Sequence, residues 1–298
     1  MLFLLSGGGS ALFESPLIPG EELADVTSQL LSCGADITEV NTIRKRLSAV
    51  KGGRFALVCA PAKVFTIVLS DIIGDPLDMI ASGPAYPDSS TCEDAIRIAK
   101  NYSLRLSPEA WDCLQQETPS ELQNVQTLVT GSIRELCAAA ARACEDRGYT
   151  PYILTDRLDT EARFAGKELG EKAASAAADE GTCIAFIEGG ETVVRLTGSG
   201  KGGRNQEFAL AAAPSIRGLS GVAVFSVGSD GTDGPTDAAG GYVDGDTAPL
   251  LEERGISIEE VLAANDSYHA LEQSGGLIIT GPTGTNVNDV AVALICRW

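Results

Sequence analysis

Three aspartates, Asp230, Asp233 and Asp237, lie among five glycines within residues 228–241. Glycine lets the backbone approach a ligand and adopt positive φ, while carboxylates hold Mg²⁺ or orient a hydroxyl. The stretch follows residues 222–227, a short apolar run with β-branched positions that reads as a buried strand. A single Asp-Gly pair reads as a solvated turn or a helix cap. Three aspartates at the carboxyl end of a strand, where open α/β sheets bind ligands, read as a site.

Further candidates are spread along the chain. Residues 1–5 form an apolar run ending in Ser6-Gly7-Gly8-Gly9-Ser10, a turn whose glycines expose backbone N–H groups. Residues 40–70 contain six basic side chains and no acidic one, Arg44, Lys45, Arg46, Lys51 and Arg54 among them. In a chain of net charge −19 this is the one strongly positive window. It reads as an anion site in preference to a helix with ordinary charge compensation at its C-terminus. Residues 198–203 match GxGxxG, yet the preceding run 192–196 carries polar Thr192 and Arg195. No acid follows at the spacing of about 20 residues that a dinucleotide site uses. The match is therefore set aside, and no Walker A sequence is present, since Gly202 follows Lys201.

Composition excludes several classes of function. The acidic balance argues against nucleic acid or an anionic membrane as a partner. No apolar run approaches the roughly 18 residues of a membrane span, and residues 1–5 lack the basic flank of a signal peptide. The eight cysteines form no CxxC pair and read as reduced, mostly buried thiols of a cytoplasmic protein. A single histidine, His269, argues against zinc sites and histidine triads; it reads as a helix surface residue.

The elements that must position these residues form an α/β chain. Helices are expected at 21–33, at 36–50 behind a capping box with Asp36 and Glu39, from Thr91, at 132–147 and at 160–179. Strands are expected at 55–60, 64–69, 152–154, 183–187, 192–196, 222–227 and 277–280. Residues 281–289 read as a loop opening a last helix, so that Thr283, Gly284, Thr285 and Asn286 present amides at a helix N-terminus. The polar stretch 103–126, with Pro108 and Pro119, marks the domain boundary. The expectation is two α/β domains with mainly parallel or mixed sheets, 1–123 and 124–298, the first Rossmann-like.

Taken together, the ordered motifs resemble one family, the glycerate 2-kinases with a MOFRL-type C-terminal domain (here about 180–298). The matching pieces are Ser6-Gly-Gly-Gly-Ser-Ala-Leu12, Asn41-Thr-Ile-Arg-Lys-Arg-Leu-Ser48, Lys51-Gly-Gly-Arg54, Ser70-Asp-Ile-Ile-Gly-Asp-Pro-Leu-Asp78 and Ile80-Ala-Ser-Gly-Pro84. Glu188-Gly-Gly-Glu-Thr192, Gly202-Gly-Arg-Asn-Gln-Glu207, the aspartate loop and Gly281-Pro-Thr-Gly-Thr-Asn-Val-Asn-Asp289 complete the set. The resemblance implies ATP-dependent phosphorylation of D-glycerate on its 2-hydroxyl, with Mg²⁺, in a cleft between two domains. It makes Asp71 the catalytic aspartate and Arg204 the arginine that clamps a carboxylate or phosphoryl oxygens. Ser6, Gly7, Gly8, Gly9 and Ser10, with Thr283 to Asn286, become anion-binding backbone. Arg44, Lys45 and Lys51 add positive charge, and Asp230, Asp233 and Asp237 become metal or hydroxyl ligands. Family members begin upstream of this chain with a segment bearing a lysine, so the first domain reads as truncated and activity as impaired. Some relatives are labelled hydroxypyruvate reductases, which keeps an NAD(P)-dependent reductase open as an alternative, beside a non-catalytic binding relic. A homodimer also stays open.

Overall fold

The computed structural model describes residues 1–5, 9–69, 77–178, 181 and 183–296. Ser6, Gly7, Gly8 and Asp71 lie outside the described residues. The chain forms two compact α/β units, one running to Thr130 and the other starting at Gly131. The division falls a few residues after the 123/124 boundary expected from sequence, because residues 125–130 pair into the sheet of the first unit.

That first sheet has three strands in the order β1 (Leu2–Leu5), β2 (Val64–Leu69), β3 (Val125–Gly131). β1 and β2 are parallel, with Leu2 opposite Phe65. Helices Gly20–Ser32, Ile37–Arg46, Cys92–Asn101 and Pro108–Leu114 form a separate core around Val26, Leu30, Ile43, Leu47, Ile98 and Leu114. Asp36 and Glu39 make the expected capping box, and Thr91 with Asp94 makes a second. Residues 55–60, expected as strand, lie almost entirely in a helix, Arg54–Cys59. Only Ala56 of that run is buried, while Val58 is 78 % exposed, so the apolar residues do not sort onto one face of a pleat. A short apolar run of this kind cannot be assigned by periodicity alone. After Met79, Ala81, Ser82 and Gly83 take φ of 51°, 62° and 63°. Left-handed backbone at two residues with a Cβ is strained by about 1 kcal/mol or more at each. It is held by amides of Gly52 and Gly53, which donate to the Ser82 and Gly83 carbonyls at 2.9 and 2.7 Å.

The second unit carries a six-stranded mixed sheet. Its strands are β4 (Thr150–Leu158), β5 (Cys183–Gly190), β6 (Val222–Gly228), β7 (Gly240–Asp244), β8 (Leu277–Ile278) and β9 (Asp289–Cys296), in spatial order β4-β5-β9-β6-β7-β8. β4 and β5 are parallel, and the other neighbours are antiparallel. Helix Ile133–Glu145 covers one face, packing Ile133 and Cys137 with Ile187, Val290 and Val292. Helices Ala162–Ala176 and Arg204–Ala212 cover the other, with Leu169, Phe208, Ala291 and Ala293. These two helices touch backbone to backbone. A Cβ on Gly166 would lie 2.0 Å from the Phe208 carbonyl oxygen, so only glycine fits there.

Three sequence expectations change here. The last helix is strand β9: Val290 and Val292 face one core, Ala291 and Ala293 the other, so both faces are buried and the run is continuously apolar. Residues 192–196 make a single bridge, Val193 with Glu161, in place of a strand. Cys183 and Cys296, opposite one another in the β5–β9 register, are joined as a disulfide, and only Cys137 and Cys144 of the remaining six are buried. The spacing of 113 residues between the pair carried no sequence signal, since strand pairing brings them together. Among the described residues, no helix is long and apolar enough to cross a membrane.

Candidate functional site

The aspartate loop follows β6, as its position at a strand's carboxyl end implied, but its three carboxylates face different partners. Asp230 accepts the Thr232 amide at 2.8 Å, folding the turn on itself. Asp233 is buried and accepts the amides of Asn205 and Gln206 at 3.1 and 2.9 Å, and the Gln206 side-chain amide at 2.9 Å. It therefore caps helix Arg204–Ala212 from a distant loop. Burial pushes its pKa up, against the pull of the Gln206 and Asn205 amides. Gly203 leaves room for this cap, because a Cβ there would lie 2.3 Å from the Asp233 carboxyl carbon. Asp237 accepts the Tyr268 hydroxyl at 2.8 Å, which lowers its pKa. Among the described residues, no three His, Cys, Asp or Glu side chains are placed to hold a metal ion. The three aspartates do not fit a magnesium cage built from protein oxygens alone. Replacing Asp233 by alanine leaves two helix amides and a buried side-chain amide without an acceptor. We expect a loss of about 2 kcal/mol in denaturant titration, with the exposed Asp237→Ala leaving the midpoint in place.

Beside this loop, within the second unit, opens a cavity of about 880 Å³. Val193, Val194, Leu196 and Pro235 supply apolar lining, and Arg204 lines it among the carboxylates Asp159, Glu191, Glu207, Asp230 and Asp233. Arg204 opens its helix directly after Gly202-Gly203. Its Nε and Nη2 donate to the two oxygens of Asp289 at 2.5 and 3.1 Å, and Nη1 donates to Glu191 at 2.8 Å. Burial opposes its charge, but the hydrogen-bonded Asp289 carboxylate and Glu191 outweigh it and raise the pKa. The result is a fixed, permanently charged fork in the cavity lining, suited to carboxylate or phosphoryl oxygens.

The GxGxxG segment has a different use. The amide of Gly200 donates to the Ala264 carbonyl at 2.9 Å, that of Gly198 to Asn265 Oδ1 at 2.8 Å, and that of Lys201 to Asp266 at 2.9 Å. A Cβ on Gly198 would lie 2.2 Å from the Ala264 oxygen, and one on Gly202 2.3 Å from the Ser267 hydroxyl oxygen. These glycines permit close packing on the 264–267 loop, and the three amides are not free to cradle a pyrophosphate.

The basic window of the first unit is likewise engaged within the chain. Lys45 and Arg46 are fully buried. Lys45 meets Asp78 and Asp88, both at 3.0 Å, and Arg46 meets Asp88 at 3.0 Å and Glu117 at 3.1 Å. Arg54 Nη1 donates to the carbonyls of Lys45, Arg46 and Ser48, closing the C-terminus of the preceding helix. The compensation reading set aside at first accounts for Arg54. Arg44 and Lys51 both donate to the Ser10 carbonyl, at 2.6 and 2.9 Å, and Lys51 also to the Phe13 carbonyl at 3.1 Å. They hold the segment that follows Gly9 in the short helix Gly9–Leu12. In the 283–286 loop, the Thr283 amide donates to the Asp230 carbonyl at 3.1 Å and the Thr283 hydroxyl to Ser229 at 2.5 Å, tying Thr283, Gly284, Thr285 and Asn286 to the aspartate loop. With β9 following, these residues precede a strand.

Sequence reasoning missed the counter-charges: Asp289 and Glu191 for Arg204, Asp78 and Asp88 for Lys45 and Arg46. All four lie inside or within a few residues of quoted motifs, and a signal existed. Buried cations require carboxylate partners, and an arginine in an acidic motif set invites one. What was lacking was the knowledge that the helix Ile37–Arg46 turns Lys45 and Arg46 inward.

Comparison with known proteins adds the family. Residues 1–115 match the model described as Domain of unknown function (DUF4147), and residues 184–289 match that of the MOFRL family. D-glycerate 2-kinase of Thermotoga maritima is 51 % identical over 99 % of this chain and 72 % of that protein. A putative hydroxypyruvate reductase of Agrobacterium vitis is 41 % identical over 98 % of this chain and 69 % of its own. The crystal structure of the glycerate kinase from Thermotoga maritima superposes with a TM-score of 0.94, at 51 % identity, over 99 % of this chain and 72 % of that one. Half the residues shared along nearly the whole length, on the same backbone, place this chain in the glycerate 2-kinase family.

Proposed function

We propose that the protein transfers the γ-phosphoryl group of ATP to the 2-hydroxyl of D-glycerate. The observation that carries the reading is Arg204, a guanidinium kept charged by two carboxylates in the lining of an 880 Å³ cavity. Phosphoryl transfer asks mainly for positioning and charge stabilisation, which such a fork supplies. In the reaction the bond from the γ-phosphorus to the bridging oxygen breaks, releasing ADP. A bond to the glycerate 2-oxygen forms, and the hydroxyl proton leaves. Asp71, which follows β2 in the sequence, is proposed to orient that hydroxyl and accept its proton. The amides of the 6–10 turn are proposed as phosphate contacts, with Arg44 and Lys51 acting through the Ser10 carbonyl that they hold. The 283–286 loop is proposed as a further nucleotide contact. Because the oxygens of Asp233 are taken by a helix cap, no step is assigned to a metal on the aspartate loop.

The reductase alternative is disfavoured by the engagement of the Gly198, Gly200 and Lys201 amides within the chain. The test is direct. ATP is expected to raise the melting temperature more than NADH or NADPH does, and D-glycerate with ATP to give ADP in a coupled assay. Tight reduced-nicotinamide binding with reduction of hydroxypyruvate is the result that overturns the kinase reading.

A further inference from the structure

Arg204 is held by two carboxylates of unequal standing. Asp289, with a side chain only 8 % exposed, takes two nitrogens of the guanidinium. Glu191, 46 % exposed, takes one, Nη1, at 2.8 Å. The backbone beneath both is fixed. Asp289 pairs with Gly190 in the β5–β9 register, and the Glu191 amide donates to the Leu158 carbonyl at 2.7 Å. Of the two side chains, the half-exposed Glu191 can swing into solvent, whereas Asp289 is enclosed.

We propose that Glu191 is a displaceable counter-ion, which the carboxylate of the acceptor replaces on Arg204. The identity of the acceptor rests on the kinase reading; the exchange itself does not. Two carboxylates around one guanidinium already carry net charge −1, in a cavity lined by four further acids. A third carboxylate added beside them is repelled, whereas one that takes the place of Glu191 leaves the local charge unchanged. An oxyanion presenting two oxygens to the outer edge of the guanidinium makes two hydrogen bonds where Glu191 makes one. Glu191 thus sets the affinity of the site and discriminates against anions that offer a single contact. Once released, its side chain reaches water, which the buried Asp289 cannot do.

The test titrates D-glycerate, and separately inorganic phosphate, into the parent and into Glu191→Gln and Glu191→Ala by calorimetry. Removing a half-exposed competing charge is expected to tighten binding of both oxyanions about five-fold, with chloride gaining less. Asp289→Asn is expected to weaken both, since it loosens the fork itself. Unchanged or weaker oxyanion binding in the two Glu191 variants overturns the proposal, even if the parent phosphorylates glycerate. Tighter phosphate binding in the two Glu191 variants, beside a parent that neither binds nor phosphorylates glycerate, sustains the exchange and sinks the kinase reading instead.

Discussion

Asp88→Asn is expected to destabilise the first unit by about 3–5 kcal/mol, the range for removing one partner of a buried ion pair. Asp88 receives Lys45 on one oxygen and Arg46 and the Thr118 hydroxyl on the other, and the side chains of Lys45, Arg46 and Asp88 are all fully buried. Asparagine keeps the shape but leaves two desolvated cations with less negative charge than they require. Lys45 retains Asp78 and Arg46 retains Glu117, which holds the loss within that range. Burial alone would raise the Asp88 pKa, but the Thr118 hydroxyl and the Lys45 ammonium outweigh it and lower it. A carboxylate depressed in the folded state contributes stability above its unfolded value and loses it as pH falls through the folded one. The parent should therefore keep the contribution through neutral pH down into the acid range, and the variant should lack it throughout. Trp111, packed against the core of this unit, reports the transition by fluorescence in a denaturant titration. A midpoint equal to that of the parent would show that the network contributes nothing net.

The second large effect concerns Arg204→Ala. Loss of a preorganised charge stabiliser is expected to lower glycerate-dependent turnover about 10²–10³-fold. It also strands Asp289, buried at the start of a central strand, at a cost of about 2 kcal/mol. An unpaired buried carboxylate has its pKa raised, so this cost grows as pH rises above the ordinary aspartate range. The double variant Arg204→Ala with Asp289→Asn separates the two roles. It should recover most of the stability and none of the turnover. Turnover within a few-fold of the parent in Arg204→Ala would remove the guanidinium from the chemistry.

Where local chemistry decided the structure, the sequence was readable. The capping box of Asp36 and Glu39 and the helix start at Thr91 rest on contacts spanning three residues, and both formed as expected. Residues 55–60 and 290–296 are short apolar runs whose fate depends on what lies on either side of them; the first reads as strand but is mostly helix, and the second reads as helix but is strand. The glycines at 198–203 were visible, and their misfit to a dinucleotide site was visible too. Their partner, the 264–267 loop, lies more than sixty residues away and could not be inferred. The same holds for Asp233, since a capping aspartate is looked for next to the helix that it caps. It caps one that begins 29 residues before it. Charge was the hardest feature to read, because a basic window looks the same whether it awaits an anion or already faces internal carboxylates.

The placement of β9 bears on how the second unit is made. Every other strand of that sheet emerges from the ribosome before β9, yet β9 lies between β5 and β6. Until residues 289–296 arrive, β5 and β6 present open edges to one another across an empty position, with the alternating apolar faces of two half-sheets beside them. Unpaired edges of this kind are templates for association with other chains, and pairings so distant in sequence close slowly. The same eight residues bring Asp289 to Arg204. Translation therefore completes the sheet and seats the guanidinium in one event, and a nascent chain stalled shortly before it offers chaperones two exposed edges and an arginine with no buried partner.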